Sequence, residues 1–136
     1  MKATARRIAG GYKHHIEVRG HTVTVDEQAE HGGNDEAPSP QELLAAAAAS
    51  CTAVTMEMYA DRKGWELSQL EVECEYERPE RGVPTHFKMT LRLPDGLTQE
   101  QIDALQVIAG KCPVRRALTT ESTFEEQIEV GAPAGT

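Results

Sequence analysis

Ser39-Pro40-Gln41-Glu42-Leu43-Leu44-Ala45-Ala46-Ala47-Ala48-Ala49-Ser50-Cys51-Thr52 reads as the opening of one long helix, and the rest of the chain is best understood around it. Ser39 suits an N-cap, Pro40 the first turn, and Glu42 can reach back to close a capping box. The apolar run continues to Ala60, and Gly64 is a natural stop. A helix over residues 40–63 is therefore expected, about 36 Å long at ~1.5 Å per residue. The consecutive alanines 45–49 let another helix approach its backbone closely. Ser50, Thr52, Thr55 and Glu57 interrupt the run, which falls short of the sustained hydrophobicity of a membrane span. The helix is expected at the centre of a soluble core.

On either side the signals are those of strands. Residues 12–18 and 21–25 are β-rich runs separated by the turn dipeptide Arg19-Gly20, and Gly10-Gly11 breaks off an earlier strand, so a three-stranded meander is expected. Residues 30–39, rich in Gly, Asn, Asp and Pro, have no period and read as an exposed loop. Downstream, Leu70, Val72, Cys74 and Tyr76 alternate with Glu71, Glu73, Glu75 and Glu77. Beyond a Gly/Pro-containing turn, Phe87, Met89, Leu91 and Leu93 alternate with Lys88, Thr90 and Arg92. Two half-buried strands with acidic and basic outer faces fit an antiparallel hairpin. Thr98-Gln99-Glu100-Gln101 is a second capping box, after which Ile102, Leu105, Ile108 and Ala109 make one apolar helical face that Gly110 ends. A short helix from Cys112 to Leu118, a last strand over residues 124–130 and a loose tail over 131–136 complete an α+β chain.

A chain of 136 residues has room for one domain, residues 1–136, with a modest core. Aromatic residues make up only 4%, so that core must rest on Leu, Val, Ile, Met and Ala. The net charge of −8, with no basic stripe to offset it, argues against nucleic acid or an anionic membrane as partner. Met1-Lys2-Ala3-Thr4-Ala5-Arg6-Arg7 lacks the apolar stretch of a secretory signal, so a cytoplasmic location with reduced thiols is expected.

Three cysteines in such a compartment suggest chemistry before they suggest staples. Cys112, followed by Pro113, stands at a helix start, where unpaired N–H groups favour a thiolate, and Arg115 and Arg116 add positive charge. Cys51 lies in mid-helix, so any lowering of its pKa must come from groups brought in by the fold; packing is the bland alternative for both. Cys74 sits on the inward face of its strand, a packing position. His14 and His15 point to opposite faces of a strand, and His21, His31 and His86 lack ligand spacing, so no metal site is expected.

These residues carry a resemblance. Pro40-Gln41-Glu42-Leu43-Leu44-Ala45-Ala46 leading to Ser50-Cys51-Thr52, then Met58-Tyr59-Ala60-Asp61-Arg62-Lys63-Gly64-Trp65, then Lys111-Cys112-Pro113-Val114, look like the OsmC family, which includes the organic hydroperoxide resistance proteins. The similarity runs in order through nearly the whole chain. It implies an α+β fold in which antiparallel sheets wrap long central helices of an intertwined homodimer, with sites near the dimer interface. It also implies a cofactor-free thiol peroxidase for organic or hydrogen peroxides. Cys51 would attack the hydroperoxide and become a sulfenic acid, Cys112 would resolve it as an internal disulfide, and a cellular dithiol would reduce the pair.

The chain also departs from the family pattern. Peroxidase members place a glutamate ten residues before the attacking cysteine, where it orients an activating arginine; here that position is Gln41. Ten helical steps of about 100° leave Gln41 about 80° from Cys51 around the axis, whereas nine put Glu42 on the opposite side. Glu42 is therefore assigned to the capping box. No arginine follows Gly10-Gly11 directly, and Arg115 or Arg19 are the candidates to replace it. Cys51 is accordingly expected to be less activated than in well-equipped members. The competing expectation is an OsmC-like homodimer that binds a small molecule with little or no peroxidase activity.

Overall fold

Side chains close the ends of the long helix α1 (Pro40–Lys63) where the sequence predicts. Ser39 Oγ accepts the Glu42 N–H at 3.2 Å while Glu42 Oε1 accepts the Ser39 N–H at 2.9 Å. Two donors that a helix start leaves orphaned are thereby satisfied. Gly64, at φ 72°, ends the helix in the left-handed region that favours glycine. The computed structural model describes residues 1–8, 10–77 and 80–131.

Before α1, strands β1 (Thr4–Arg7), β2 (His14–Val18) and β3 (His21–Val25) form an antiparallel meander in that spatial order. The β2–β3 turn places both Arg19 (φ 48°) and Gly20 (φ 83°) at positive φ, which matches the right-handed twist of the hairpin. The loop that follows is mostly exposed but not loose. Buried Asp26 accepts backbone N–H groups from Glu27 at 2.7 Å, Glu36 at 3.2 Å and Asn34 at 3.3 Å. Burial alone would raise its pKa; the N–H donors outweigh that and hold the carboxyl below its usual range. The backbone of Gly33 lies so close to that of Glu27 that a Cβ would not fit.

After α1, strands β4 (Glu71–Glu75) and β5 (Lys88–Arg92) pair antiparallel, and the predicted charge complementarity is present. Arg92 reaches Glu73 at 3.3 Å and Glu71 at 3.6 Å, both solvent-exposed pairs of small energetic weight. The Tyr76 and Phe87 rings extend the pairing, with centroids 4.7 Å apart. Helix α2 (Gln99–Ala109) starts at the predicted capping box, with Thr98 Oγ1 and Gln101 exchanging hydrogen bonds of 3.1 and 2.8 Å. Helix α3 (Pro113–Thr119) follows with Cys112 as its N-cap. The turn expected between β4 and β5 falls partly, and the tail over 131–136 almost wholly, outside the described residues.

The core is built where α1 meets β4 and α2: Met56 and Ala60 of α1, Leu67, and Leu105 and Ala109 of α2 are buried, with Trp65, Val72 and Leu91 packed against them. Only one stripe of α1 is covered, namely Ala48, Thr52, Met56 and Ala60, spaced four apart. Within one chain the helix is thus less central than its composition predicts, and Leu44, Val54 and Met58 are exposed. Its polar residues also do not disqualify it as a span: the alanines and leucines outweigh them, and α1 is long and apolar enough by composition to cross a membrane. In this fold it packs instead on β4, α2 and α3.

One element differs outright. Residues 124–130 form no strand, and Phe124, Ile128 and Val130 are exposed. Their alternation is real, but a strand exists only against an edge that pairs with it, and this segment pairs with none of the described strands.

Met56 is 0% exposed at the centre of the core. Met56→Ala is expected to lower unfolding stability by about 2–5 kcal/mol, read as a reduced urea midpoint at unchanged slope. A loss under about 1 kcal/mol would place the core elsewhere.

Candidate functional site

The packing of α1 on α2 and α3 decides where the thiols go. Cys51 is half-buried in mid-α1, beside Thr52 on the covered stripe. Gly110 ends α2 with its N–H on the Val107 carbonyl at 3.2 Å, and Lys111 N–H follows onto Ile108 at 2.9 Å. The chain then turns at Cys112, and Pro113 starts α3 with a fixed φ and no N–H to lose. Cys112 is 0% exposed and lies against α1. Residues 51 and 112, far apart in sequence, are thereby brought near enough for each to shift the other's titration, and both are free thiols.

The two sulfurs are not equivalent. Burial pushes the Cys51 thiol up, and its hydrogen bond to Cys112 pushes it further; the Val114 N–H and the Thr55 hydroxyl act the other way and are outweighed. Burial also pushes Cys112 up, but there the donors win: the Cys51 thiol, the N–H groups of Arg115 and Val114, and the Thr52 hydroxyl bring it below the ordinary thiol range. The Thr52 hydroxyl is fully buried and has no hydrogen-bond partner among the described residues.

The other residues singled out in the sequence are placed elsewhere. Glu42 is committed to the capping box, as expected. Gln41 is exposed, and its carbonyl accepts the Tyr76 hydroxyl at 2.6 Å. Arg115 contributes its backbone N–H to Cys112, while its guanidinium donates to the Ala109 carbonyl at 3.2 Å and so closes the end of α2. Arg19 sits at the tip of the β2–β3 turn, among Met1, Lys2 and Gly20. Among the described residues, no guanidinium is among the principal influences on either thiol.

Gln41, Tyr76 and Cys74 instead line an open cleft of about 1110 Å³, together with His31 and His86. Among the described residues, no group of three or more His, Cys, Asp or Glu side chains is arranged to hold a metal ion. Sequence reasoning missed Thr52 and Thr55. The available signal was Thr52 falling in phase with Ala48, Met56 and Ala60: a hydroxyl on a buried apolar stripe needs a partner.

Comparison with known proteins places this geometry. No curated protein matches the chain. Among solved structures, one provisionally named an osmotic stress induced and detoxification response protein, from Psychrobacter arcticus 273-4, superposes with a TM-score of 0.76 at 17% identity, covering 86% of this chain and 87% of that one. An organic hydroperoxide resistance protein OsmC from Legionella pneumophila gives 0.66 at 25% identity over 87% and 88%. The organic hydroperoxide resistance protein OhrB of Bacillus subtilis gives 0.59 at 25% over 87% and 89%. The sequence model of OsmC-like proteins matches residues 32–127, well over half of the chain and the stretch that carries both thiol motifs. The α+β fold built around α1, with Cys51 facing Cys112, belongs to a member of the OsmC-like protein family, whose relatives include proteins of organic hydroperoxide resistance.

Proposed function

We propose that this protein is a thiol-dependent peroxidase that reduces organic or hydrogen peroxides. The observation that carries the reading is the pair of free thiols that the packing of α3 on α1 brings near one another. Cys51, the more exposed of the two, attacks the distal peroxide oxygen; the O–O bond breaks, the alcohol leaves, and Cys51 becomes a sulfenic acid. The Cys112 thiolate attacks that sulfur, expels hydroxide and closes a disulfide. A cellular dithiol in the cytoplasm returns both sulfurs to thiols. No cofactor enters the cycle.

The protein works as a homodimer in this reading. A helix with exposed Val54 and Met58, and a segment with Phe124 92% and Val130 97% exposed, leave apolar surface that a second copy would cover. Turnover is slow, because burial raises the Cys51 thiol and a carboxamide at Gln41 cannot hold an arginine by charge. That same raised thiol, with a large cleft lying apart from it, favours the second reading, a small-molecule-binding homodimer with little or no peroxidase activity.

Single-turnover consumption of an organic hydroperoxide separates the two. Wild-type protein is expected to consume it slowly, Cys51→Ser protein not at all and Cys74→Ser protein at the wild-type rate. Equal consumption by wild type and Cys51→Ser would leave only the binding reading. Peptide mapping after peroxide treatment is expected to recover Cys51 joined to Cys112 within one chain, with Cys74 reduced; a Cys74 linkage as the main product would defeat the mechanism. Light scattering should give twice the 14.9 kDa chain mass, and a stable folded monomer at micromolar concentration would remove the dimer.

A further inference from the structure

We propose that residues 27–38 form an acid-releasable strap, hinged at the Ser39 N-cap of α1 and latched by the carboxylate of Asp26, which opens as a unit on acidification and takes one wall of the large cleft with it. The inference concerns the cleft and stands apart from the peroxidase reading. Its ground is the way this loop is fastened. The chain leaves β3 at Val25 and comes back to its own start, where the Asp26 N–H donates to the Pro38 carbonyl at 3.1 Å. Compact surface loops with such closed ends are held by their own contacts. None of residues 27–38 is buried, and none belongs to the core cluster. Hydrogen bonds and an ion pair therefore hold the strap, with no apolar burial to tie its opening to that of the core. That is the condition under which a segment opens by itself.

Asp26 is the latch because both of its oxygens are spent on N–H donors. The residue is 1% exposed. Oδ1 accepts the Glu27 N–H at 2.7 Å, and Oδ2 accepts those of Glu36 at 3.2 Å and Asn34 at 3.3 Å. A proton on either oxygen turns an acceptor into a donor that faces another donor, so at least one of these bonds is lost. A proton on Oδ2 loses the two that reach across the loop. The far end behaves differently, because the Ser39–Glu42 capping box does not need a charge: α2 is capped in the same way by the neutral Gln101. The closed strap also holds Asp35 at φ 52° and the Gly33 backbone hard against that of Glu27, conformations that the open chain is free to leave.

The charged groups around the latch set the pH at which it opens. From the segment before β2, Lys13 pairs with Glu36 at 2.7 Å. His14, opposite Val25 in the β2–β3 register, has its ring Nδ1 2.9 Å from the Tyr12 carbonyl. Glu27, Asp35 and Glu36 are the carboxylates nearest to Asp26 in the strap itself. Burial pushes the Asp26 carboxyl up, but the N–H groups of Glu36, Glu27 and Asn34 and the Lys13 charge outweigh it and hold the carboxyl below its usual range. A carboxyl depressed in the folded state contributes its full stabilisation above the unfolded value of about 3.9 and loses it as the pH falls through the folded one. The strap is thus closed at neutral and mildly acid pH and opens in stronger acid. Opening withdraws Glu27, Gln28 and His31 from the cleft, while Cys74 of β4 stays on the opposite wall.

Backbone amide exchange of the full-length protein, taken relative to the rate of an unstructured chain at each pH, reads the strap directly. The Asn34 and Glu36 amides should lose protection about tenfold or more as the pH falls below about 4, while those of Met56 and Leu105 in the core keep theirs. Asp26→Asn should leave the strap amides unprotected already at neutral pH, with no further change in acid. Because Asp26→Asn alters a buried site, Lys13→Met is the second variant. Loss of the ammonium raises the Asp26 pKa, so the strap should open at higher pH with the core amides unchanged. Glu42→Gln, which keeps the cap, should open at the wild-type pH. Strap amides that lose protection only together with those of the core, strap protection retained by Asp26→Asn, or an opening pH that Lys13→Met does not move would each overturn the proposal.

Discussion

Everything at the site depends on how α3 is held against the covered stripe of α1. Ala48, Thr52, Met56 and Ala60 are small or flexible residues at a spacing of four, and they let neighbouring elements come close to the α1 backbone. Larger side chains at these positions would push α2 and α3 outward, and Cys112 would lose contact with Cys51. The constraint is steric before it is chemical. The thiol pair exists because a helix rich in alanine can be approached closely, and because Gly110 and Pro113 turn the chain sharply enough to set Cys112 between two helices.

The electrostatics follow from that packing. Burial, complete at Cys112 and partial at Cys51, makes each thiol separately resist ionisation. Their surroundings differ, so the Cys112 thiol comes below the ordinary range while Cys51 stays above it. The two thiols are therefore not equivalent, and the Arg115 guanidinium is employed as a cap on α2.

How much of this could be read from the sequence depended on whether the determining contact was local. Both capping boxes, the Gly64 stop, the Arg19-Gly20 turn and the two alternating strands depend on neighbours a few residues away, and each is present in the structure. Glu42 was legible as a cap for the same reason. The surroundings of the two thiols, by contrast, come from α1 and α3 at once, so Thr55 gave no local sign and Thr52 only its place on a buried stripe. The placement of Arg115 depended on an Ala109 carbonyl that no spacing rule points to. Residues 124–130 have a strand's alternation, yet alternation expresses a capacity to pair and does not supply the edge.

The distance along the chain between the paired thiols has a consequence of its own. A covalent link from position 51 to position 112 would enclose β4, β5 and α2, the very elements that form the core with α1. In the chain-entropy description, closing a loop of that length restricts the unfolded ensemble by about 4 kcal/mol, a sizeable share of the stability of a domain this small. The oxidised protein would then be the harder of the two forms to unfold. Its redox cycle would double as a cycle of mechanical tightening and release, so that a reductant which discharges the thiols also loosens the fold.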